Sequence, residues 1–144
     1  MKNTFFSDLK YGKIGEQAIL DIIKSKYFNA YIKNGYEKKY DIYIPEKDVE
    51  VEVKTDRKSR ETTNIAIECE YKGYKSGIRT TTADYWVIIF WDDDDSKWKY
   101  GVCKTSKIKS LCRLCRKIPA GSGAKVHLVS KSRWKLACSS LGKL

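Results

Sequence analysis

The stretch Tyr40–Thr55, YDIYIPEKDVEVEVKT, places charges where a strand should be half-buried. Ile42 and Ile44 alternate with Asp41 and Tyr43, and Val49, Val51 and Val53 alternate with Glu50, Glu52 and Lys54. Both runs have the two-residue period of a strand with one apolar face. Pro45–Asp48 fits a four-residue hairpin connection. If Ile44 pairs with Val49, then Ile42 meets Val51 and Asp41 meets Glu52, and the apolar set stays on one face. Opposed residues have Cβ atoms about 4.5–5.5 Å apart. Two carboxylates at that separation repel unless a proton or a cation lies between them. Lys54 follows on the same face, about 7 Å along the strand from Glu52. Such a set suits a hard divalent cation such as Mg2+, which takes one or two carboxylates and completes its shell with water and phosphate. The cation would polarise a phosphate ester and acidify a water, with a lysine to position that water or to stabilise the charge growing on phosphorus. A lone Glu-x-Lys on a strand is more often a solvated ion-pair ladder. Asp41 across the hairpin, an acid on the preceding helix and the charge of the whole chain favour the chemical reading.

Several elements must position these groups. The spacing predicts a helix over 7–28 with Ser7 as its N-cap and a core stripe of Ile14, Ala18 and Ile22, widened by Ile19, Leu20 and Ile23. Glu16 lies above the apolar flank of that helix, where a carboxylate can point inward; the plainer alternative is a first-turn acid favoured by the helix dipole. A short strand over 30–34 leads to the hairpin.

The charge balance narrows the partner. The chain of 144 residues has 29 Lys and Arg against 18 Asp and Glu, a net charge of +11, and a pI near 9.4. A strongly basic protein favours polyanions through counterion release and electrostatic steering. Nucleic acid fits better than a membrane, since no segment reads as a basic amphipathic anchor. The length suits one domain with its own core. Five cysteines without a disulfide-like spacing point to a reducing, cytosolic setting.

Beyond the hairpin, Asp56–Arg60 is a basic loop next to Lys54, expected to contact phosphates through Arg57 and Lys58 and to be mobile without them, with a plain solvated turn as the alternative. Asn64–Tyr71 alternates Ile65, Ile67 and Cys69 against Ala66, Glu68 and Glu70. Glu68 would join the acidic face if this strand lay beside Val49–Thr55, whereas Glu70 reads as a solvated edge acid. Tyr71–Thr82 mixes tyrosines, glycines and hydroxyls with Lys75, Ser76 and Arg79, a composition suited to phosphate contact. A short helix over Arg79–Ala83 is expected. Ala83–Trp91 is the most apolar run and reads as a buried central strand, and the four acids Asp92–Asp95 as a solvated turn to a strand over Trp98–Lys104. Thr105–Lys117 reads as a helix capped by Thr105, with Ile108, Leu111, Cys112 and Cys115 as its core stripe. Those cysteines fall on the apolar side, which argues against zinc. His127 lies on a strand over Lys125–Ser130. From Ser132 the sequence is basic and poorly patterned, with Trp134 as an anchor.

Asp41, followed after ten residues by Glu52-Val53-Lys54, resembles the signature of the PD-(D/E)xK nucleases, with Tyr40 in place of the nominal proline. Glu16, on a helix ahead of the hairpin, matches the additional acid of many members, archaeal Holliday-junction resolvases among them. The segment Ile67–Ile88 is similar to small phage-type members. The resemblance covers about residues 10–91. It implies an α/β fold with a restriction-endonuclease-like core, a central mixed β-sheet flanked by helices in the order α-β-β-β-α-β. The whole chain would be one nuclease domain, its core about 7–104, followed by a C-terminal helix and basic tail over 105–144. The resemblance implies Mg2+, with Mn2+ as a substitute, held by Asp41, Glu52, the Val53 carbonyl and Glu16, with Lys54 at the attacking water or the transition state. DNA, duplex or branched, would be the partner, bound through Arg57, Lys58, Lys75, Ser76 and Arg79, in a prokaryotic or phage-infected cell. A homodimer is compatible with the sequence, which shows no seam for one. The alternative from another class is a non-catalytic DNA-binding module on a vestigial nuclease fold.

Overall fold

The structure is a computed structural model that describes residues 4–35 and 39–144, with side chains from Tyr11 onward. In chain order its elements are α1 (Thr4–Lys24), β1 (Tyr31–Ile32), β2 (Ile42–Ile44), β3 (Val49–Thr55), β4 (Asn64–Tyr71), β5 (Tyr74–Lys75), β6 (Tyr85–Asp92), β7 (Lys97–Lys104), α2 (Thr105–Arg113), β8 (Lys117–Pro119), β9 (Ala124–Ser130), α3 (Lys131–Ala137) and β10 (Ser140–Lys143). Single 3-10 turns form at Arg57–Arg60 and Gly77–Arg79. The described residues therefore form a mixed α/β fold with three helices.

The central sheet has the strand order β1-β2-β3-β6-β7-β10. It is mixed: β3 and β6 run parallel, and the remaining neighbours are antiparallel. β6 is covered on both faces, as its unbroken apolar run predicts. Val87 and Ile89 turn to the α1 side, where they pack with Ile19, Leu20, Ile42, Val51 and Val53. Trp86, Ile88 and Phe90 turn the other way, into a second core with Ile65, Ile67, Ile108 and Trp134.

One sheet was expected, and there are two. β4 does not lie beside β3 but joins a four-stranded sheet of order β5-β4-β9-β8. The reason is that β3 has no open edge: β2 and β6 occupy its two sides. The turn at Arg57–Arg60 carries the chain out of the central sheet, and β4 pairs instead with β9 from Asn64↔Ser130 to Tyr71↔Ala124, with a bulge between Glu68 and Glu70.

α1 spans 4–24 rather than 7–28, so Ser7 falls inside it, and its buried seam differs from the expected stripe. Ile14 is 52% exposed, while Gly15, Ile19 and Leu20 face the sheet. Gly15 sets that rotation. A methyl group there would run into Thr55 Oγ1 and lie 3.0 Å from Ile89 Cδ1. Only glycine lets the helix backbone come this close to β3.

Other differences have simple causes. The short helix expected over Arg79–Ala83 is instead the turn at Gly77–Arg79, where Gly77 has φ +54°. α2 stops at Arg113, and Thr105 does not cap it: its hydroxyl donates to the Ala83 carbonyl at 2.6 Å. Residues beyond Ser132, poorly patterned in sequence, form most of α3 and all of β10. The Ser130 hydroxyl accepts from the Arg133 amide to start α3, Trp134 is fully buried, and β10 pairs with β7. The acids Asp92–Asp95 are not a bare solvated turn. Asp92 is buried against Lys99 at 2.6 Å and Lys135 at 2.5 Å, Asp93 meets Lys131 at 2.8 Å, Asp94 meets Lys135 at 2.7 Å, and Asp95 also pairs with Lys99. Three lysines scattered through the sequence converge on this run, so its buried first acid ties the turn to the fold while Asp93–Asp95 stay exposed, as expected. Among the described residues no helix is long and apolar enough to cross a membrane.

Candidate functional site

The hairpin has the register that its alternation requires. Ile42 pairs with Val51, Tyr43 with Glu50 and Ile44 with Val49. Asp41 stands one residue before β2. Its amide donates to the Val51 carbonyl at 3.0 Å, and its carboxylate accepts from the Val53 amide at 2.8 Å. The side chain is thus fixed across β3 at the level of Glu52. Asp41 itself is 5% exposed.

Glu52 is strongly perturbed by its surroundings. Burial raises its carboxyl, Lys54 pulls it down, and the charge and hydrogen bond of Asp41 push it up again, to about 7. A carboxylic acid held near neutrality beside a second carboxylate marks a site short of positive charge. Lys54 answers that need in part. Its Nζ lies 3.3 Å from Glu52 Oε1 and 5.9 Å from the centre of the Trp86 ring, with about half of its side chain in solvent.

Glu52, Lys54 and Asp41 open into a cleft of about 680 Å³. Three structural units contribute to its walls. α1 supplies Tyr11, Lys13 and Glu16; Gly15, seated on Thr55, brings that stretch of helix to the cleft. The turn after β3 supplies Arg57 and Lys58, with the Arg57 guanidinium 4.0 Å above the Tyr11 ring. The second sheet supplies Glu68. Glu68 therefore lines the cleft from the second sheet, not from a strand adjoining β3.

The basic turn is held through Asp56 and Ser59. Asp56 accepts from the amides of Ser59 at 3.1 Å and Ala66 at 2.9 Å. The Ser59 hydroxyl donates to the Asp56 carbonyl at 2.6 Å and accepts from the Trp91 amide at 2.9 Å. The buried Lys131 ammonium caps the Ser59 carbonyl at 2.5 Å. Arg57 and Lys58 are thus exposed side chains on a fixed backbone.

The other residues expected to contact a polyanion do not line this cleft. Lys75 is exposed in the β4–β5 ladder opposite Glu70. Arg79 is drawn to Glu70 at 3.3 Å, and the Ser76 hydroxyl is buried without a partner among the described residues. Glu70, read as a solvated edge acid, also binds Lys117 at 2.7 Å, which with the nearby charges of Lys125 and Arg79 holds its carboxyl below the ordinary range. His127 faces the Cys115 carbonyl at 3.1 Å, away from the cleft walls. Residues missed in the sequence are Tyr11, Lys13, Trp86 and Lys39, which line this cleft or the smaller one adjoining it; Thr80–Thr82, the end of the hydroxyl-rich stretch read as suited to phosphate contact, line the smaller one. Trp86 carried no usable signal, since it sits in a run that reads as core throughout.

The fit of a metal rests on the acidic pair. Among the described residues no group of three or more Asp, Glu, His or Cys side chains is placed to hold an ion. Asp41 and Glu52 are two adjacent carboxylates, one of them kept from easy ionisation, and two carboxylates with water and phosphate suffice for Mg2+. Glu16 lines the same cleft but does not complete a three-carboxylate cage.

No protein-family model matches this chain, and no curated protein matches it. A solved structure does. The fold is similar to that of a bacterial homing endonuclease, I-Ssp6803I. The TM-score is 0.51 at 20% sequence identity, over 85% of this chain and 78% of I-Ssp6803I. At that identity the likeness to I-Ssp6803I speaks for the fold alone, and the chemistry must be argued from the cleft.

Proposed function

We propose that the protein is a metal-dependent DNA endonuclease of the PD-(D/E)xK type with a restriction-endonuclease-like core. The observation that carries the reading is the Asp41–Glu52 pair, joined across one hairpin with Lys54 beside it, in a cleft walled by basic side chains. Asp41 and Glu52 would hold Mg2+, with the Val53 carbonyl and, through water, Glu16; bound there, the ion polarises the scissile phosphate and acidifies the attacking water. The remaining work belongs to the chain. Lys54, half in solvent and tethered to Glu52, is placed to orient the attacking water or to meet the negative charge growing on the phosphoryl oxygens. Arg57, Lys58 and Lys13 are placed to hold the phosphodiester backbone beside the pair. Asp41 keeps the hairpin and the acidic pair in register through the Val53 amide. The similarity in fold to I-Ssp6803I, a bacterial homing endonuclease, supports this reading. Branched DNA as the preferred substrate extends it.

The test is plasmid nicking with Mg2+ and with EDTA, by the wild type, Asp41→Asn and Lys54→Ala. Cutting that needs the metal and disappears in both variants is the expected result. Metal-dependent cutting retained by both would remove the site assignment. Tight binding of DNA without cutting by the wild type would make the protein a binding module on a nuclease fold.

A further inference from the structure

The acidic pair is not at the end of a pocket. Two cavities meet over it, one of about 680 Å³ and one of about 400 Å³, and they share Asp41, Glu52, Lys54, Glu68 and Trp86. Beyond that shared floor each cavity has its own polar wall. Lys13, Arg57 and Lys58 line only the first, whereas Lys39 and Thr80–Thr82 line only the second.

Within the second wall, Thr81 is unlike its neighbours. The Thr80 hydroxyl faces the Gly77 carbonyl, and the Thr82 hydroxyl donates to Glu50 at 2.8 Å. Thr81 Oγ1 instead accepts two bonds, from the Ala83 amide at 3.2 Å and from the Trp86 indole at 3.2 Å. An oxygen with both lone pairs engaged has only its proton left to offer. That proton finds no acceptor among the described residues. The hydroxyl is also fixed, because it is bolted to the buried indole that floors the cleft beneath Lys54. A fixed donor in a cavity that an exposed lysine also lines is suited to a phosphate oxygen.

We propose that a DNA strand passes through the cleft rather than ending in it, with Arg57 and Lys58 holding the backbone on one side of the scissile phosphate and Thr81 with Lys39 holding it on the other. This rests on the reading of the Asp41–Glu52 pair as a phosphodiesterase centre. It adds a second backbone-binding wall and assigns Thr81 as its positioned donor. It also makes internal phosphodiesters, flanked by nucleotides on both sides, the substrates that use the whole site.

The experiment compares two diesters in Mg2+: closed circular DNA, which has no ends, and bis(p-nitrophenyl) phosphate, which has no flanking nucleotides. Thr81→Val, Thr81→Ser, Lys39→Ala and Arg57→Ala are assayed beside the wild type, with thermal melting of each. The wild type is expected to cut the circle. Thr81→Val and Lys39→Ala are expected to raise KM for the circle about tenfold more than they impair the small diester. Thr81→Ser, which restores the hydroxyl, is expected to recover most of the loss. Lys39→Ala guards against misfolding, since Lys39 is exposed, and is expected to lower the salt dependence of binding by about one counterion. Equal losses on both substrates, or Thr81→Ser behaving like Thr81→Val, would overturn the second wall. So would unchanged cutting of the circle by Thr81→Val and Lys39→Ala, with the hydrolytic centre left standing. Hydrolysis of neither substrate by the wild type would remove the centre itself, and the strand path with it.

Discussion

The Asp41 carboxylate accepts a hydrogen bond from the backbone amide of Val53 at 2.8 Å, so one acid both closes the hairpin and faces Glu52. The two roles separate by substitution. Asp41→Asn can keep a carbonyl oxygen on the amide while losing the charge. It is expected to abolish metal-dependent cutting, by about a thousandfold or more, with little change in melting temperature. Asp41→Ala leaves the Val53 amide unpaired and is expected to cost about 1–3 kcal/mol as well. Nicking assays and urea denaturation of the two variants check this.

Glu52 makes the stability of the metal-free protein depend on pH near neutrality. Its carboxyl ionises at about 7 in the fold, against an ordinary value of 4.5. The folded state therefore holds a proton that the unfolded state releases. Its contribution is fully present below about pH 4.5 and is lost as pH rises through 7. In EDTA the wild type is expected to be less stable at pH 8 than at pH 5 by up to about 3 kcal/mol from this group. Glu52→Gln should flatten that slope, and Mg2+ added at pH 8 should restore stability to the wild type but not to the variant. Denaturant titrations at the two pH values read all three outcomes.

Asp92 works in the opposite direction and at the other end of the pH scale. Burial alone would raise it, but hydrogen bonds from Lys135, Lys99 and the Asp94 amide more than offset that and hold it at about 2. Stability from this group is present above its unfolded value of 3.8 and is lost as pH falls through 2, an effect of about 2 kcal/mol. Asp92→Asn is expected to destabilise the protein at pH 7 by about 2 kcal/mol, since Lys99 and Lys135 lose their shared buried partner and keep only the more exposed Asp95 and Asp94. An acid titration followed by circular dichroism tests both statements.

Gly15 and Gly12 form a matched pair one helical turn apart. A methyl group at Gly15 meets Thr55 and Ile89, whereas one at Gly12 meets nothing within 4 Å. Gly15→Ala is expected to cost about 1–3 kcal/mol and to lower cutting by displacing the face that carries Glu16. Gly12→Ala is expected to stabilise by up to about 1 kcal/mol through helix propensity. Melting curves of the two variants should therefore move in opposite directions.

The hairpin was legible because the two-residue period leaves only one register that keeps Ile42, Ile44, Val49 and Val51 together, and that register puts Asp41 opposite Glu52. The position of β4 was not legible. Its alternation shows that it has two faces, but not that β6 has already taken the only open edge of β3. The ion pairs of Asp92–Asp95 were hidden for a related reason. Their partners Lys99, Lys131 and Lys135 are common surface residues, and only the fold gathers them. Arg79 and Ser76 have the composition of a phosphate loop, yet Glu70 and burial claim them, while the polar wall of the cleft falls to Thr80–Thr82 next door.

The departure of β4 from the central sheet also shapes how such a protein can diverge. The carboxylate pair and Lys54 lie on one hairpin of the first sheet, and Glu68 faces them from the second. Replacements on the far wall can accumulate without shifting the register that brings Asp41 to Glu52.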